Sequence, residues 1–311
     1  MFSRFLIPEC RTMSHPAFTV DSFFDPVTNT ATHVVVDTAT RECAIVDPVL
    51  DFDPKSGRTS HRSAERVAAH VEACGARVHW LLETHVHADH LSAAPLLQAR
   101  FGGEIAIGRE VTGVQKVFGA LFDAGPDFVP DGRPFDRLVD DGDTLALGTL
   151  AIRAIHTPGH TPACMTYLIE RADGTSAPAE TAAFVGDTLF MPDYGTARCD
   201  FPGGDARTLY RSIRKVLSLP PDTPLYLCHD YAPDGRPVCL VTTVGAQRRD
   251  NVHVHEGIDE DAFVAMRTAR DATLEMPVLI LPSVQVNMRA GRLPEPAANG
   301  VRYLKLPIDA L

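Results

Sequence analysis

The sequence predicts a mixed α/β domain in which many short strands are interspersed with a few helices. Three observations support this fold class: β-branched and apolar runs of strand length, amphipathic runs of helical period, and polar turns directly after several predicted strands. No internal repeat, low-complexity tract or linker divides the chain. We therefore expect a single domain over residues 17–311, preceded by an N-terminal extension over residues 1–16.

The composition limits the classes of function. The 311 residues carry a formal net charge of -11, which argues against a nucleic-acid partner but allows an anionic substrate in a local basic pocket. No apolar run approaches the length of a membrane span, and residues 1–16 do not resemble a secretory signal. Seven scattered cysteines without a C-x-x-C pair favour a reduced, cytoplasmic protein without membrane association.

In the first half of the chain, β-branched and apolar runs predict five strands. They cover residues 18–25, 32–37, 43–47, 78–82 and 104–107. Residues 38–42 join the second and third strands as a hairpin, and the polar, proline-bearing residues 51–61 are interpreted as a loop. Helices are predicted for residues 63–74, which Gly75 ends, for a segment with Pro95 in its first turn, and for residues 111–122.

In the second half of the chain, strands again outnumber helices. After a loop over residues 125–134, the predicted strands cover residues 144–147, 149–155, 164–170, 181–185 and 224–228. Residues 171–180 are interpreted as a hydrophilic hairpin tip. Helices are predicted for residues 205–217 and 259–273 from their apolar spacing.

A cluster of histidines follows the predicted strand 78–82, at its turn into a helix. Residues 84–90 read T-H-V-H-A-D-H, and the candidate ligands among them are His85, His87, Asp89 and His90. Imidazole and carboxylate are ligands that borderline divalent metals prefer. A solvated polar loop explains the cluster less well, because so many ligand types converge.

Candidate ligands also follow three later predicted strands, at His160, Asp187 and His229. One such histidine alone is more often a surface or core residue than a ligand. Residues so far apart in sequence converge only if strand ends meet at one edge of the fold. Together the four places predict a metal site there.

Taken together, the H-x-H-x-D-H motif, His160, the Gly186-Asp187 pair and His229 resemble the metallo-β-lactamase superfamily. The resemblance covers about residues 18–231. It implies an αββα sandwich of two mixed β-sheets flanked by helices, with the metal at one edge of the packed sheets.

A narrower resemblance is to the persulfide dioxygenases, which are similar to the thioester hydrolase glyoxalase II. The segments that carry it are T-H-V-H-A-D-H, T-P-G-H-T-P, G-D-T-L-F, G-T-A-R-C-D-F at residues 195–201, C-H-D-Y and N-M-R-A-G at residues 287–291. It implies oxidation of glutathione persulfide with O2 and water to sulfite and glutathione. One iron(II) per chain would be held by His85, His160 and Asp187, with open positions for sulfur and O2.

The same residues leave a second metal interpretation open. In the related hydrolases, residues matching His87, Asp89, His90 and His229 complete a two-metal site, so counting ligands does not separate one iron(II) from two zinc(II). In the dioxygenase interpretation they orient ligands and water, and the candidate catalytic groups are His87, Asp89, His229 and Tyr231. Tyr231 is explained equally well as a core aromatic residue. A non-catalytic or redox-sensing member that uses exposed cysteines is a third, weaker alternative.

Recognition of the thiol carrier requires cations for the two carboxylates of glutathione. The candidates are Arg198, Arg248, Arg249 and Arg289. Each is explained equally well by a structural ion pair, Arg198 with Asp200 in particular. A long hairpin at residues 171–180 and M-P-D-Y at residues 191–194 depart from the mitochondrial members and indicate a subgroup with a modified pocket mouth, and Ala290 replaces a cysteine of those members. The oligomeric state is left open, with a homodimer as one outcome.

Overall fold

A seven-stranded mixed sheet is built from the first half of the chain. The structure is a computed structural model that describes residues 11–175 and 181–310. In spatial order the strands of this first sheet are β1 (Arg11–Ser14), β2 (Phe18–Asp25), β3 (Thr30–Asp37), β4 (Glu42–Val46), β7 (Arg77–Leu82), β9 (Glu104–Gly108) and β10 (Arg137–Val139). β1 to β4 pair antiparallel, and β4, β7, β9 and β10 pair parallel.

A six-stranded sheet follows in the second half. Its order is β11 (Thr144–Leu147), β12 (Leu150–His156), β13 (Met165–Arg171), β14 (Ala182–Phe184), β15 (Pro224–Tyr226) and β16 (Val241–Thr243). All neighbours pair antiparallel except β14 and β15, which are parallel. A third, small sheet has the order β6 (Arg58–Ser60), β5 (Val49–Asp53) and β8 (Leu91–Ser92).

The helices lie in two groups along the chain. They are α1 (Arg62–Cys74), α2 (Ala94–Phe101), α3 (Val111–Leu121), α4 (Ala206–Val216), α5 (Val244–Asp250), α6 (Glu260–Asp271) and α7 (Ile280–Asn287). Gly75 ends α1 in the left-handed conformation, and Pro95 lies in the first turn of α2, as predicted. No helix among the described residues is long and apolar enough to cross a lipid bilayer.

The alternation of side chains along the strands builds an αββα sandwich. Val35 of β3 packs between the sheets with Ile152 and Tyr167 of the second sheet, whereas its neighbours Val34 and Val36 pack under helices of the first half. A separate apolar layer joins the outer face of the second sheet to helices such as α4 and α6, through residues including Leu209. The predicted fold class is confirmed.

The predicted loop over residues 51–61 is wrong. β5 and β6 form a hairpin there, and its turn is closed by Asp53, which accepts hydrogen bonds from the backbone N–H of Lys55 at 3.0 Å and from Ser56 Oγ at 2.6 Å. All three residues of β6 are exposed, so no apolar alternation marks the strand. Residues 176–180 of the predicted hairpin tip and residues 1–10 of the predicted extension lie outside the described residues. Residues 11–14 of the extension form β1, which pairs with β2.

Candidate metal centre

Four connections bring the predicted ligands to one edge of the sandwich. His85 to His90 lie between β7 and β8, His160 between β12 and β13, Asp187 in a short 3₁₀ turn after β14, and His229 after β15. The backbone N–H of Ala31 in β3 donates to the carbonyl of Cys228, which ties the first sheet to the connection that carries His229. The ends of these strands therefore meet at one edge of the fold, as expected from the sequence.

His85, His160 and Asp187 form one compact ligand set. Oδ2 of Asp187 lies 3.5 Å from Nε2 of His160 and 3.8 Å from Nε2 of His85. One potential ligand atom from each residue lies within 4.8 Å of the other two, and all three residues are buried. Two imidazole nitrogens and a carboxylate oxygen thus face a common point, as the sequence predicts.

Hydrogen bonds at Nδ1 set the tautomers of these histidines. Nδ1–H of His160 donates to the carbonyl of Arg198 at 2.7 Å, so its Nε2 carries the lone pair. The Thr84 hydroxyl donates its only hydrogen to Asp47 Oδ2 at 2.8 Å and must therefore accept from Nδ1–H of His85 at 3.0 Å. Both Nε2 atoms are consequently prepared to coordinate a cation.

A second group of polar side chains lies beside the first. Nε2 of His229 is 3.0 Å from Asp89 Oδ2 and 3.3 Å from Asp187 Oδ1, while its Nδ1–H donates to the carbonyl of Asn29 at 3.1 Å. Although burial opposes protonation, Asp89 and Asp187 raise the pKa of His229 to about 9. Burial also opposes ionisation of these two carboxyls, but His229 holds the pKa of each below its usual range. The buried carboxylates therefore require a positive charge between them.

His87 is held by two carboxylates that the sequence did not single out. Its Nε2 donates to Asp47 Oδ1 at 2.9 Å and lies 3.4 Å from Glu83 Oε2. Burial alone would lower the pKa of His87, but Asp47 and Glu83 raise it well above its usual value. Asp47 directly follows β4, so the strand-end signal that identified the other ligands could also have identified Asp47.

The unpartnered polar atoms of the centre fit a bound metal. Within residues 11–175 and 181–310, buried atoms without a hydrogen bond include Nε2 of His85, His90 and His229, Nδ1 of His87 and Oδ1 of Asp187. Leaving such atoms buried and unpaired costs about 1–3 kcal/mol each, so a concentration of them at one point indicates a ligand. Coordination of a cation by nitrogen and carboxylate oxygen would satisfy them.

Two glycines allow the turns that carry Asp187 and His160 to pack closely against neighbouring parts of the fold. Gly186 has φ +52°, and a Cβ atom there would lie 2.7 Å from Thr84 Oγ1, the atom that orients His85. Gly159 has φ +135°, and a Cβ atom there would lie 2.3 Å from the backbone of Leu209 in α4. The G-D and P-G-H motifs therefore place Asp187 and His160 through backbone that only glycine adopts without strain.

A cavity of about 450 Å³ opens onto the centre and is lined by Asp89, His160 and Asp187 at its buried end. Its volume falls within the range of small-molecule sites, about 300–1,000 Å³. Tyr231 lines it, is 38% exposed and stacks on Tyr194 with ring centroids 4.5 Å apart. Tyr231 therefore forms part of an aromatic cavity wall and is not a core residue.

Of the four predicted substrate-binding arginines, only Arg198 lines this cavity. Its guanidinium is bound to Asp200 at 2.6 and 2.7 Å, which is the structural ion pair considered above. The guanidinium of Arg248 donates to the carbonyl of Leu217, that of Arg249 pairs with Asp250, and that of Arg289 lies over the ring of Phe128.

The segment 195–201 also orients a ligand, because the carbonyl of Arg198 accepts the His160 hydrogen bond. This segment is fastened to α6, where the backbone N–H of Cys199 donates to Asp271 at 3.0 Å and Arg267 donates to the carbonyl of Thr196 at 3.1 Å. Arg267 is almost fully buried and ion-paired with Asp271. The motif was recognisable in the sequence, but Arg267 and Asp271, which hold it in place, were not.

The αββα sandwich with histidine and aspartate ligands at one edge defines a class of metal-binding enzymes. The chain belongs to the metallo-beta-lactamase superfamily, whose family model matches residues 27–229.

Three known proteins are similar to this chain over most of its length. A probable metallo-hydrolase of Burkholderia pseudomallei (strain 1710b) is 70% identical over 293 residues, covering 94% of this chain and 100% of that protein. The mitochondrial persulfide dioxygenase ETHE1 of Homo sapiens is 30% identical over 269 residues, covering 86% of this chain and 87% of that protein. The crystal structure of ETHE1 from Myxococcus xanthus superposes with a TM-score of 0.67 at 27% identity, covering 88% of this chain and 99% of that chain. The predicted resemblance to this superfamily and to its persulfide dioxygenase members is confirmed.

Proposed function

We propose that the protein is an iron(II)-dependent dioxygenase that oxidises glutathione persulfide with O2 and water. The products are sulfite, glutathione and two protons. The three oxygen atoms of O2 and water are in sulfite, and the two sulfur atoms of the persulfide are divided between sulfite and glutathione. The observation that carries the proposal is the convergence of His85, His160 and Asp187 on one point beside the cavity. A set of two histidines and one carboxylate is typical of non-haem iron(II) oxygenases.

The residues around this set support a role in orienting reactants. When bound, iron(II) supplies the redox chemistry that allows O2 to react with a sulfur anion. Asp89 lines the cavity beside Asp187, and its ionised carboxylate is placed to accept a hydrogen bond from the water that the reaction consumes. Phe190, Tyr194 and Tyr231 pack against one another with ring centroids 4.5 to 5.8 Å apart and form an aromatic wall of the cavity beside the metal centre.

A two-zinc hydrolase of thioesters or lactones is the second candidate. The adjacent group formed by Asp89, His90, His229 and the second oxygen of Asp187 favours it, because both ring nitrogens of His90 and Nε2 of His229 have no hydrogen-bond partner among the described residues. The relative that is 70% identical is named a probable metallo-hydrolase. The dioxygenase is preferred because two histidines and one carboxylate are the ligand set typical of non-haem iron(II) oxygenases, and a relative named a persulfide dioxygenase matches 86% of this chain.

None of the described cysteines is an exposed thiol of the kind that a redox sensor needs: Cys43, Cys164, Cys199 and Cys228 are buried, and Cys74 and Cys239 are half-buried. Burial raises the pKa of the Cys43, Cys164 and Cys199 thiols to about 12 in each case. A reactive cysteine needs a thiolate, which these thiols do not form near neutral pH.

Metal analysis tests the proposal against the hydrolase. The protein should be expressed with iron and zinc supplied together and purified without chelators. About one iron per chain with little zinc supports the dioxygenase, whereas about two zinc ions per chain support the hydrolase. A His90→Ala variant extends the test, because loss of this residue should leave a single iron in place but should remove one of two zinc ions.

A further inference from the structure

The outer end of the cavity carries two side chains of opposite charge that have no partner in the described part of the chain. Apart from the residues at the metal centre, the charged residues that line the cavity are Arg198, Arg267, Arg270 and Glu275. The first two are held in ion pairs with Asp200 and Asp271. Among the described residues, the side chains of Arg270 and Glu275 form no hydrogen bond or ion pair, with each other or with any other residue.

Both free charges are at the solvent-facing end. Arg270 and Glu275 are exposed, whereas His160 and Asp187 at the other end of the cavity are buried. Arg270 lies in the last turn of α6, and Glu275 follows that helix on a segment fixed by a hydrogen bond from Arg198 to the Glu275 carbonyl at 2.6 Å. Stabilisation of the α6 C-terminus explains a cation at this helix end, but it does not explain why an unpaired anion lies on the same rim.

The rest of the lining has a different chemistry. It is largely apolar and aromatic and includes Phe52, Phe190, Leu274 and Leu279. A ligand that fits must therefore carry its reactive group at one end, a less polar middle, and groups of both charges at the other end. A ligand with only a negative or only a positive group at this end would leave either Glu275 or Arg270 without an opposite charge.

We propose that Arg270 and Glu275 form a subsite for a zwitterionic amino-acid head group, with the α-carboxylate bound by Arg270 and the α-ammonium bound by Glu275. The planar guanidinium of Arg270 suits a carboxylate, and the Glu275 carboxylate suits an ammonium group. The inference rests on the proposed function in that the γ-glutamyl end of glutathione is such a head group. It assigns recognition of the thiol carrier to the segment 270–275, which contains none of the four arginines indicated by the sequence.

Calorimetric titration with S-methylglutathione tests the subsite without requiring turnover. Arg270→Ala and Glu275→Gln should each weaken binding about tenfold, the range expected for a partly solvated charge-assisted hydrogen bond. Arg249→Ala is the matched control and should bind as the wild type does, because Arg249 is exposed, pairs with Asp250 and does not line the cavity.

Two ligand analogues assign each charge to its partner. N-acetylation of S-methylglutathione removes the ammonium and should weaken binding to the wild type but have no further effect on Glu275→Gln. Replacement of its γ-glutamate by 4-aminobutanoate removes the α-carboxylate and should weaken binding to the wild type but not further to Arg270→Ala. Non-additive losses of affinity in both comparisons would establish that the ammonium contacts Glu275 and that the α-carboxylate contacts Arg270.

Three outcomes overturn the subsite. They are no binding of S-methylglutathione to the wild type, equal affinity of the wild type and both variants, and losses of affinity that add when a ligand analogue is combined with its variant in these two double-mutant cycles. Uptake of O2 by the wild type with glutathione persulfide is measured separately. If O2 uptake is present while the subsite fails, the proposed function stands and the carrier binds elsewhere. If O2 uptake is absent while the two cycles behave as expected, the dioxygenase fails and the head-group subsite stands.

Discussion

The side-chain amide of Asn287 donates a 2.9 Å hydrogen bond to the backbone carbonyl of His87, 200 residues earlier in the chain. The same amide donates to the carbonyl of His90 at 2.7 Å, and its oxygen accepts from the backbone N–H of Ser92 at 2.8 Å. Asn287 ends α7 and is buried. The N-M-R motif near the C-terminus therefore shapes the loop that presents the metal ligands.

Asn287→Leu should consequently destabilise the fold and loosen the metal loop. Two buried carbonyls lose their donor, so the free energy of unfolding should fall by about 2–4 kcal/mol, measured by urea denaturation. The folded fraction should also bind metal more weakly. Asn299→Leu, at an exposed position, is the control. A loss below about 0.5 kcal/mol for Asn287→Leu, the scale of an ordinary surface change, would show that these bonds do not support the loop.

Thr84→Val should weaken metal binding without a large change in shape. Valine matches threonine in size but cannot accept the hydrogen bond from His85 Nδ1 or donate one to Asp47. Loss of a partner that orients a metal-binding histidine costs about 10–100-fold in metal affinity. Competition with a chelator measures the change. Thr84→Ser keeps the hydroxyl and should restore most of the affinity; equal affinities for valine and serine would exclude this role.

Asp187→Ala should lose both metal and activity while it remains folded. The Asp187 carboxylate is the only anion in the set with His85 and His160, and alanine cannot balance the charge of a divalent ion. Metal affinity should fall by at least about 100-fold, followed by metal analysis together with circular dichroism. The exposed Asp222→Ala serves as the control. Iron and turnover retained by Asp187→Ala would leave this residue only a structural role.

Arg248→Ala should affect stability and not substrate binding. Its guanidinium donates to the carbonyl of Leu217 at the end of α4, away from the cavity lining. The free energy of unfolding should fall by about 1–2 kcal/mol, and the Michaelis constant for glutathione persulfide should stay unchanged. A several-fold rise in that constant, with unchanged turnover, would return Arg248 to the list of carrier-binding residues.

The convergence of the candidate ligands was predictable from the sequence because these residues share one local signal. His85, His160, Asp187 and His229 each follow a strand whose apolar pattern is clear, and strand ends meet at one edge of a sheet. Asp47 has the same signal, but a lone carboxylate before a proline is also what an ordinary turn contains.

Other features depend on tertiary contacts that leave no periodic pattern. The helix α7 carries Pro282 in its first turn and follows Pro277, so its sequence is typical of a loop, although Ile280 and Val284 pack into the core. The charges at the cavity rim were likewise not predictable, because pairing in the fold decides which arginines are free. Arg198 and Arg248 are hydrogen-bonded, whereas Arg270 has no side-chain partner within residues 11–175 and 181–310.

Oxidation of glutathione persulfide is measured directly as O2 uptake, recorded with an oxygen electrode on iron-loaded protein supplied with this substrate. Hydrolysis of S-lactoylglutathione is measured in parallel on the same preparation, and zinc-loaded protein is the matched control. We expect the iron form to consume O2, to form one sulfite per O2 and to show little thioester hydrolysis. The zinc form should consume no O2, because zinc has no redox chemistry. Efficient thioester hydrolysis without persulfide-dependent O2 uptake by the iron form would contradict the dioxygenase and favour the hydrolase.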